Sequence, residues 1–311
     1  MQSSMSLIGA LLTVASTTQP VSDPLLQPIS PNSAREWLTP QPPAHIFGNT
    51  YLVGFGGLNI GLIKTSVGLI LIDGGVPQGV RAVEENIRKL GFRPSDIRLI
   101  LSTEPHYDHA SGFAALERDT GATVAASPEA AVVLEAGQSG PDDPQMAWLP
   151  AYPPVPRVRI VHDKDHLRMG DVTITAHATP GHTPGSMSWT WRSCEASRCA
   201  NIVFGSSLRP LAAGRYRFSD PDHQAGLKRY RRTFDVVRSL PCDILLTAHP
   251  GQSGGDVKFA RLQTGAHHNP FLDPTACRTY ADTNEQALSE LLAKEAVTDR
   301  PSTENRVPSN R

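Results

Sequence analysis

Apolar residues along this chain come in short runs bounded by glycine, proline and serine, the rhythm of strands rather than of long helices. The stretch NTYLVGFGGLNIGLIKTSVGLILIDGG holds three such runs and predicts strands over 50–53, 59–64 and 68–72, joined as an antiparallel meander. The period then changes. Val80, Val83, Ile87 and Leu90 fall on one face of a helix over 78–90, which GFRP ends. Further strands are expected over 97–101, 123–126, 159–162, 172–176, 186–191, 202–204 and 244–246, and helices over 112–118, 128–136, 222–239 and 284–296. Between them lies GQSGPDDPQMAWLPAYPPVP, residues 137–156, with almost no periodicity. A connection that long in a compact domain is usually functional or disordered. Strands come in runs, with helices between the runs and none in strict alternation. That predicts an α+β arrangement of sheets with helices outside them, not a doubly wound parallel sheet.

The termini read differently. Residues 7–15 are a short apolar run ending in small residues, as an export signal does, although no Lys or Arg precedes it. Residues 1–17 are therefore expected to be a signal, 18–40 an irregular leader to a single domain over 18–296, and 297–311 a disordered tail. No run is long enough to span a bilayer. With 29 basic and 30 acidic residues, charge gives no reason to expect nucleic acid or an anionic membrane as a partner. The four cysteines lie outside any CxxC and away from the histidine clusters. An even count beside an export signal suggests two disulfides. Cys194 and Cys199 are close enough to staple one hairpin loop, which leaves Cys242 for Cys277. The alternative is four buried free thiols.

The candidate chemistry begins at LSTEPHYDHASG, residues 101–112, where His106, Asp108 and His109 lie close together and Glu104 sits two positions before His106. They follow a strand, so they are expected on a tight loop rather than a helix. Such a loop can serve two ions about 3.5–4 Å apart. Two neighbouring histidines alone read more simply as a solvated loop. Two further segments change that. ATPGHTPGSMSW places His182 between Thr-Pro turns, and CDILLTAHPGQSGG places His249 just past a buried strand. Loops at strand ends are where sites are assembled. The other histidines, His45, His162, His166, His177, His223, His267 and His268, lack this setting. His177 is the nearest rival, and its mid-strand position favours packing or support. Imidazole and carboxylate without thiolate suit zinc, and three ligands per ion leave an open position for water. The candidates sort into Glu104, His106 and His182, then Asp108, His109 and His249.

TEPHYDHASG, TPGHTPGS and LLTAHPG together resemble the metallo-β-lactamase superfamily, whose usual first motif is His-x-His-x-Asp-His. The likeness extends through GLILIDGG, whose Asp73 braces the metal loop in that family, and covers residues 40–290. It implies an αββα sandwich with two Zn2+ ions at one edge. Glyoxalase II and lactonase relatives carry a bridging aspartate on a strand ending Gly-Asp, where this chain reads IVFGSSLRP, with Ser206 and Ser207 in that place. That feature, with SGPDDPQ, YPPVPRV, and LPCDILLTAHPG followed by DPTACRTYAD, resembles subclass B3 and implies the Cys242–Cys277 disulfide.

The resemblance carries the metal-ligand roles to His106, Asp108, His109, His182 and His249. Glu104 stands where most members have histidine. A carboxylate can still bind zinc; the alternative is that it turns away and the first site is weak. With two carboxylates the site is less positive, and bound water should be harder to deprotonate. The implied activity is β-lactam hydrolysis by a metal-bound hydroxide that Asp108 orients, with no protein nucleophile. Ser207 would lie near the water of the second ion. Arg209 would clamp the substrate carboxylate, or else be an exposed charge. Met146 and Trp148 of the long loop would press on the substrate's apolar side chain, or else belong to a mobile surface loop. The expected protein is a periplasmic or secreted monomer acting on a small-molecule β-lactam. Two rivals are another hydrolase of this fold, such as a lactonase or thioesterase, and a non-catalytic protein whose first site Glu104 impairs.

Overall fold

The structure, a computed structural model, describes residues 29–298. The expected signal over 1–17, much of the leader and residues 299–311 lie outside the described residues.

Alternation along the strands builds two sheets with three apolar layers. The first sheet runs in sequence order: β1 (Ala44–Phe47), β2 (Thr50–Leu52), β3 (Gly61–Thr65), β4 (Gly68–Ile72), β5 (Ile97–Leu101), β6 (Thr123–Ala126) and β7 (Val158–Ile160). Strands β1 to β4 pair antiparallel, as the meander predicts. Strands β4 to β7 are parallel. Their connections carry α2 (Val80–Lys89), then the single turn α3 (Tyr107–Ala110) with α4 (Phe113–Thr120), then α5 (Pro128–Ala136), after α1 (Pro31–Trp37) at the start of the chain. This stretch does alternate strand and helix, contrary to the sequence reading. Parallel neighbours require a crossover, and short helices supply it.

The second sheet has the order β12-β11-β10-β9-β8, with β8 (His166–Met169), β9 (Val172–Ala178), β10 (Met187–Glu195), β11 (Arg198–Gly205) and β12 (Ile244–Thr247). Its outer face carries α6 (Gln224–Ser239) and α8 (Ala276–Thr298), and α7 (Gly255–Gln263) follows β12. Ile63, Ile70 and Leu99 meet Ile174, Trp189, Ile202 and Phe204 between the sheets. Their neighbours Leu62, Leu71 and Ile100 point the other way, onto Val83, Ile87 and Leu116 of the first helical layer. Val203 and Leu245 likewise point onto Tyr230, Phe234 and Tyr280 of the second. Period-two side-chain direction thus produces the αββα sandwich.

Several elements depart from expectation. The leader contains α1, whose first turn is capped by the Ser30 hydroxyl accepting from the Ser33 N–H. Strands β1 and β8 and helix α7 were not anticipated, and α8 begins at Ala276 rather than 284 and runs past 296. Short polar-flanked strands such as HLRM in β8 carry one buried side chain, too few to reveal a period. Disulfides join Cys194 to Cys199 across the β10–β11 hairpin and Cys242 to Cys277 between the approach to β12 and α8. Among the described residues no helix is long and apolar enough to cross a membrane.

Candidate metal centre

The ends of β4, β5, β11 and β12 and the β9–β10 turn meet at one edge of the sandwich, and every candidate ligand comes from one of these ends. Asp73, just past β4, holds a left-handed backbone at φ 64°. Its carboxylate accepts from the Thr103 N–H at 2.8 Å and the Thr103 hydroxyl at 2.7 Å, and lies 3.5 Å from His109 Nδ1. It braces the segment leaving β5. The segment is not all loop: His106 caps α3, and Asp108 and His109 sit on that single helical turn. Consecutive residues on a helix point about 100° apart, and here Asp108 Oδ2 still comes within 3.4 Å of His109 Nε2.

His182 is presented by a turn that only glycine can form. Gly181 has φ 150°, and a Cβ there would overlap the Tyr230 ring. The His182 ring donates through Nδ1 to the Arg209 carbonyl at 2.7 Å, and His249 through Nδ1 to the Gly57 carbonyl at 3.2 Å.

Asp108 Oδ2 lies 3.2 Å from His249 Nε2 and 3.4 Å from His109 Nε2, and the two Nε2 atoms are 3.1 Å apart. The side chains of Asp108, His109 and His249 therefore lie together. Glu104, grouped in the sequence with His106 and His182, reaches this set as well. Its Oε1 sits 2.9 Å from His109 Nε2 and accepts from the Ser207 hydroxyl at 2.7 Å, and its ligand atom clusters with those of His109 and His249 within 4.8 Å. Carboxylate and imidazole attract across this short buried gap, and Ser207 fixes the other side. Glu104 Oε2 is buried with no hydrogen-bond partner. An ionised oxygen is costly to leave that way, and a divalent cation is the partner such an atom suits. Nitrogen and oxygen donors without thiolate match zinc.

His106 and His182 form the other part, ring centroids 5.0 Å apart and edge to face. Two residues that sequence reasoning missed hold them. His106 Nε2 is 2.9 Å from Asp143 Oδ2, and the Gln145 amide donates to His182 Nε2 at 3.1 Å. Both belong to loop 137–156. The signals were the loop's length and the SGPDDPQ resemblance, and neither shows which side chains turn inward, because DDPQ has no period. On the same loop Met146 and Trp148 form a one-turn 3-10 helix and are exposed. Arg209 contributes its backbone to His182 while its side chain is exposed. Ser206 turns away, into a hydroxyl cluster with Thr179 at 2.8 Å and Ser188 at 3.5 Å. His177 is bonded to Thr190 on the neighbouring strand at 2.8 Å, which fits support rather than the site.

Burial works to raise the Glu104 and Asp108 carboxyls, but the charges of the surrounding imidazoles, His109 foremost, outweigh it and hold both well below the ordinary carboxylate range. Burial works to lower His109, and the charges of Asp108 and Glu104 with the Asp73 contact raise it well above the usual imidazole value. His106 is also raised: burial opposes, and the Asp143 contact prevails. Burial lowers His182.

One pentapeptide, GQSGG at 251–255, has the G-x-S-x-G spelling of a serine-hydrolase nucleophile turn, which corrects the expectation that the sequence holds no such motif. Ser253 follows a 3-10 turn, and its hydroxyl pairs with Thr247 at 2.8 Å, with no histidine bonded to it among the described residues. The spelling carries no nucleophile function.

A two-sheet sandwich with imidazoles and carboxylates converging at one edge defines a divalent-metal-binding class of protein. The chain belongs to the metallo-β-lactamase superfamily: the family described as "Metallo-beta-lactamase superfamily" matches residues 53–249. Within it the similarity is to subclass B3. The chain is 49% identical to the protein described as the first B3 metallo-β-lactamase with an active-site glutamic acid, over 88% of this chain and 99% of that one, TM-score 0.81. It is 35% identical to BJP-1, a subclass B3 metallo-β-lactamase of Bradyrhizobium japonicum, over 86% of this chain and all of that one, TM-score 0.78. A curated relative, the acyl-coenzyme A thioesterase MBLAC2 of Gallus gallus, is 25% identical over 165 residues, which span 48% of this chain and 59% of that protein.

Proposed function

We propose that this chain is a zinc-dependent β-lactamase that opens the β-lactam ring by hydrolysis and binds two zinc ions. The observation that carries the reading is Glu104, buried at the imidazole cluster of a chain 49% identical to a B3 metallo-β-lactamase with an active-site glutamic acid. Asp108, His109 and His249 would hold one ion. His106 and His182 would hold the other with Glu104, whose charge acts on both of those imidazoles as well as on His109. Bound zinc supplies Lewis acidity toward the lactam carbonyl and makes water a nucleophile at neutral pH.

The chain's own residues do the rest. Asp108, kept ionised by its imidazole neighbours, accepts a hydrogen bond from the attacking water and orients it. Ser207 fixes Glu104 through its 2.7 Å hydrogen bond. Arg209 at the rim pairs with the carboxylate beside the ring nitrogen, whose planar geometry a guanidinium matches. Met146 and Trp148 meet the substrate's apolar side chain. Two disulfides suit an oxidising compartment, so the enzyme works in the periplasm or outside the cell.

The test is turnover of nitrocefin and imipenem by the purified protein, before and after a chelator and again with zinc restored, with zinc counted per chain. Loss and recovery of turnover, at two zinc ions per chain, is the expected result. A zinc-loaded protein inert toward both substrates sinks the reading. A second reading, thioester or lactone hydrolysis, draws on the thioesterase relative. Serines at 206 and 207 in place of a bridging aspartate argue against it, and an acyl-coenzyme A and a lactone assayed in parallel decide.

A further inference from the structure

Four imidazoles converge on the site, and three are gripped from behind in one way. His182 gives Nδ1–H to the Arg209 carbonyl, His249 gives Nδ1–H to the Gly57 carbonyl, and His109 sets Nδ1 against Asp73. Each is left with Nε2 as the nitrogen for a metal. His106 is inverted. Its ring makes one hydrogen bond among the described residues, through Nε2 to Asp143 Oδ2 at 2.9 Å. Asp143 is not a passing contact. Both side chains are only 3% exposed. The second Asp143 oxygen accepts the Gln145 N–H at 2.8 Å, and the Asp143 N–H reaches the Gly140 carbonyl at 3.0 Å. Withdrawing this carboxylate would break the turn that carries it and strand a buried charge.

We infer that Asp143 is a positioning residue for His106: by accepting the Nε2 proton it leaves the Nδ1 lone pair for the metal and ties loop 137–156 to the metal site. The inference rests on the metal-binding reading above. Hydrogen-bonded partners of this kind set tautomer, ring orientation and basicity of a ligand imidazole. Gln145, two residues on, has a different part. Its amide points at His182 Nε2, the nitrogen that ring offers to metal, so Gln145 gives way when metal binds while Asp143 stays. One loop thus contributes a permanent brace and a displaceable contact.

The test is zinc titration of the full-length protein against a chromophoric chelator, for the wild type, Asp143→Ala, Asp143→Asn and Gln145→Ala, with the His106 ring 15N shifts recorded with and without zinc. Asp143→Ala should weaken one of the two zinc sites by about 10–100-fold. Asp143→Asn, whose amide oxygen still accepts from Nε2–H, should stay within a few-fold of the wild type. Gln145→Ala should not weaken either site. His106 should carry its proton on Nε2 in both states.

Wild-type affinity in Asp143→Ala overturns the inference, as does ligation of His106 through Nε2. An Asp143→Asn loss as large as that of Asp143→Ala also overturns it, because it would mean that the carboxylate touches the metal itself. If Asp143→Ala does not fold, the Asn variant and the 15N shifts decide. A wild-type protein that binds no zinc defeats the metal-binding reading instead, so the two failures are distinguishable.

Discussion

The two parts of this site stand on different supports. Asp108, His109 and His249 are backed by the sheet ends themselves: Asp73 under Thr103 and His109, and the Gly57 carbonyl behind His249. His106 is backed from loop 137–156 through Asp143, and His182 by the Arg209 carbonyl, with Gln145 of the same loop against its Nε2. A strand end is fixed by ladder hydrogen bonds and by the core beneath it. A loop is fixed only by the contacts its side chains make, and loops open more readily than the elements they join. Chemistry that needs one fixed geometry therefore belongs with Asp108, and adjustment to substrate belongs with the loop.

The largest expected effect tests that division directly. Asp108→Ala removes both a metal contact and the group that orients water, so kcat/KM for imipenem should fall by about 10²–10⁴-fold. The fold should survive, because Asp108 lies at the site edge and supports no ladder. A loss below about tenfold, a difference of about 1.4 kcal/mol in transition-state stabilisation, would place the chemistry elsewhere.

The loop-backed part nonetheless has one hard element. Gly181 presses on the Tyr230 ring with φ 150°, so Gly181→Ala must move α6 or the His182 turn. Overpacking of this kind costs about 1–3 kcal/mol, to be read as a lower denaturant midpoint. Unchanged stability would mean that the His182 turn is as adjustable as the long loop.

Within each part, neighbouring groups titrate in opposite directions, which sets a pH test on the metal-free chain. Glu104 and Asp108 are lowered, so the stability they contribute is complete above the ordinary carboxyl range near ~4 and is lost as pH falls through their lower folded values. His109 is raised, so its contribution is complete below ~6.5 and is lost as pH rises through its folded value. His182 is lowered and acts as a carboxyl does, favouring the fold at higher pH. His106 is raised as well, so two imidazoles favour the fold at lower pH against one lowered imidazole, and the melting temperature with chelator present should decline on the alkaline side of neutral. With zinc it should not, since metal takes the neutral ring and binds more tightly as pH rises. Equal alkaline slopes with and without zinc would remove His109 from the ligand set.

The same division explains what could be read from the sequence. His109 and His249 follow strands whose buried runs are visible in the sequence, LIL and ILLT, and His182 stands between Thr-Pro turns after the alternating strand VTITAHA. Their position at a strand end is local information. The pairing of inward Ile63 and Ile70 with outward Leu62 and Leu71 is likewise local, and the sandwich follows from it. Asp143 lies 37 residues from its partner His106, in a stretch with neither period nor strand. Nothing nearby states which of two adjacent aspartates turns inward. Glu104 was grouped with His106 and His182, and its carboxylate also reaches His109. Its position two residues before His106 suggested His106 as partner, whereas the turn of α3 brings His109 back to within 2.9 Å. Ser207, from the end of β11, then fixes it there.

The smallest expected effect probes the loop's outward face. Trp148 is 62% exposed and Met146 44%, so neither stabilises the fold by burial. Trp148→Ala should change stability by less than about 0.5 kcal/mol, as surface substitutions do. If the indole meets substrate, KM should rise a few-fold for β-lactams with a bulky apolar side chain and stay level for those with a small one, with kcat unchanged in both. Uniform binding of that sort moves KM alone. A fall in kcat of the same size for both classes would instead mean that the loop holds reacting groups in place. The division between a fixed sheet-end part and an adjustable loop part would then have to be abandoned.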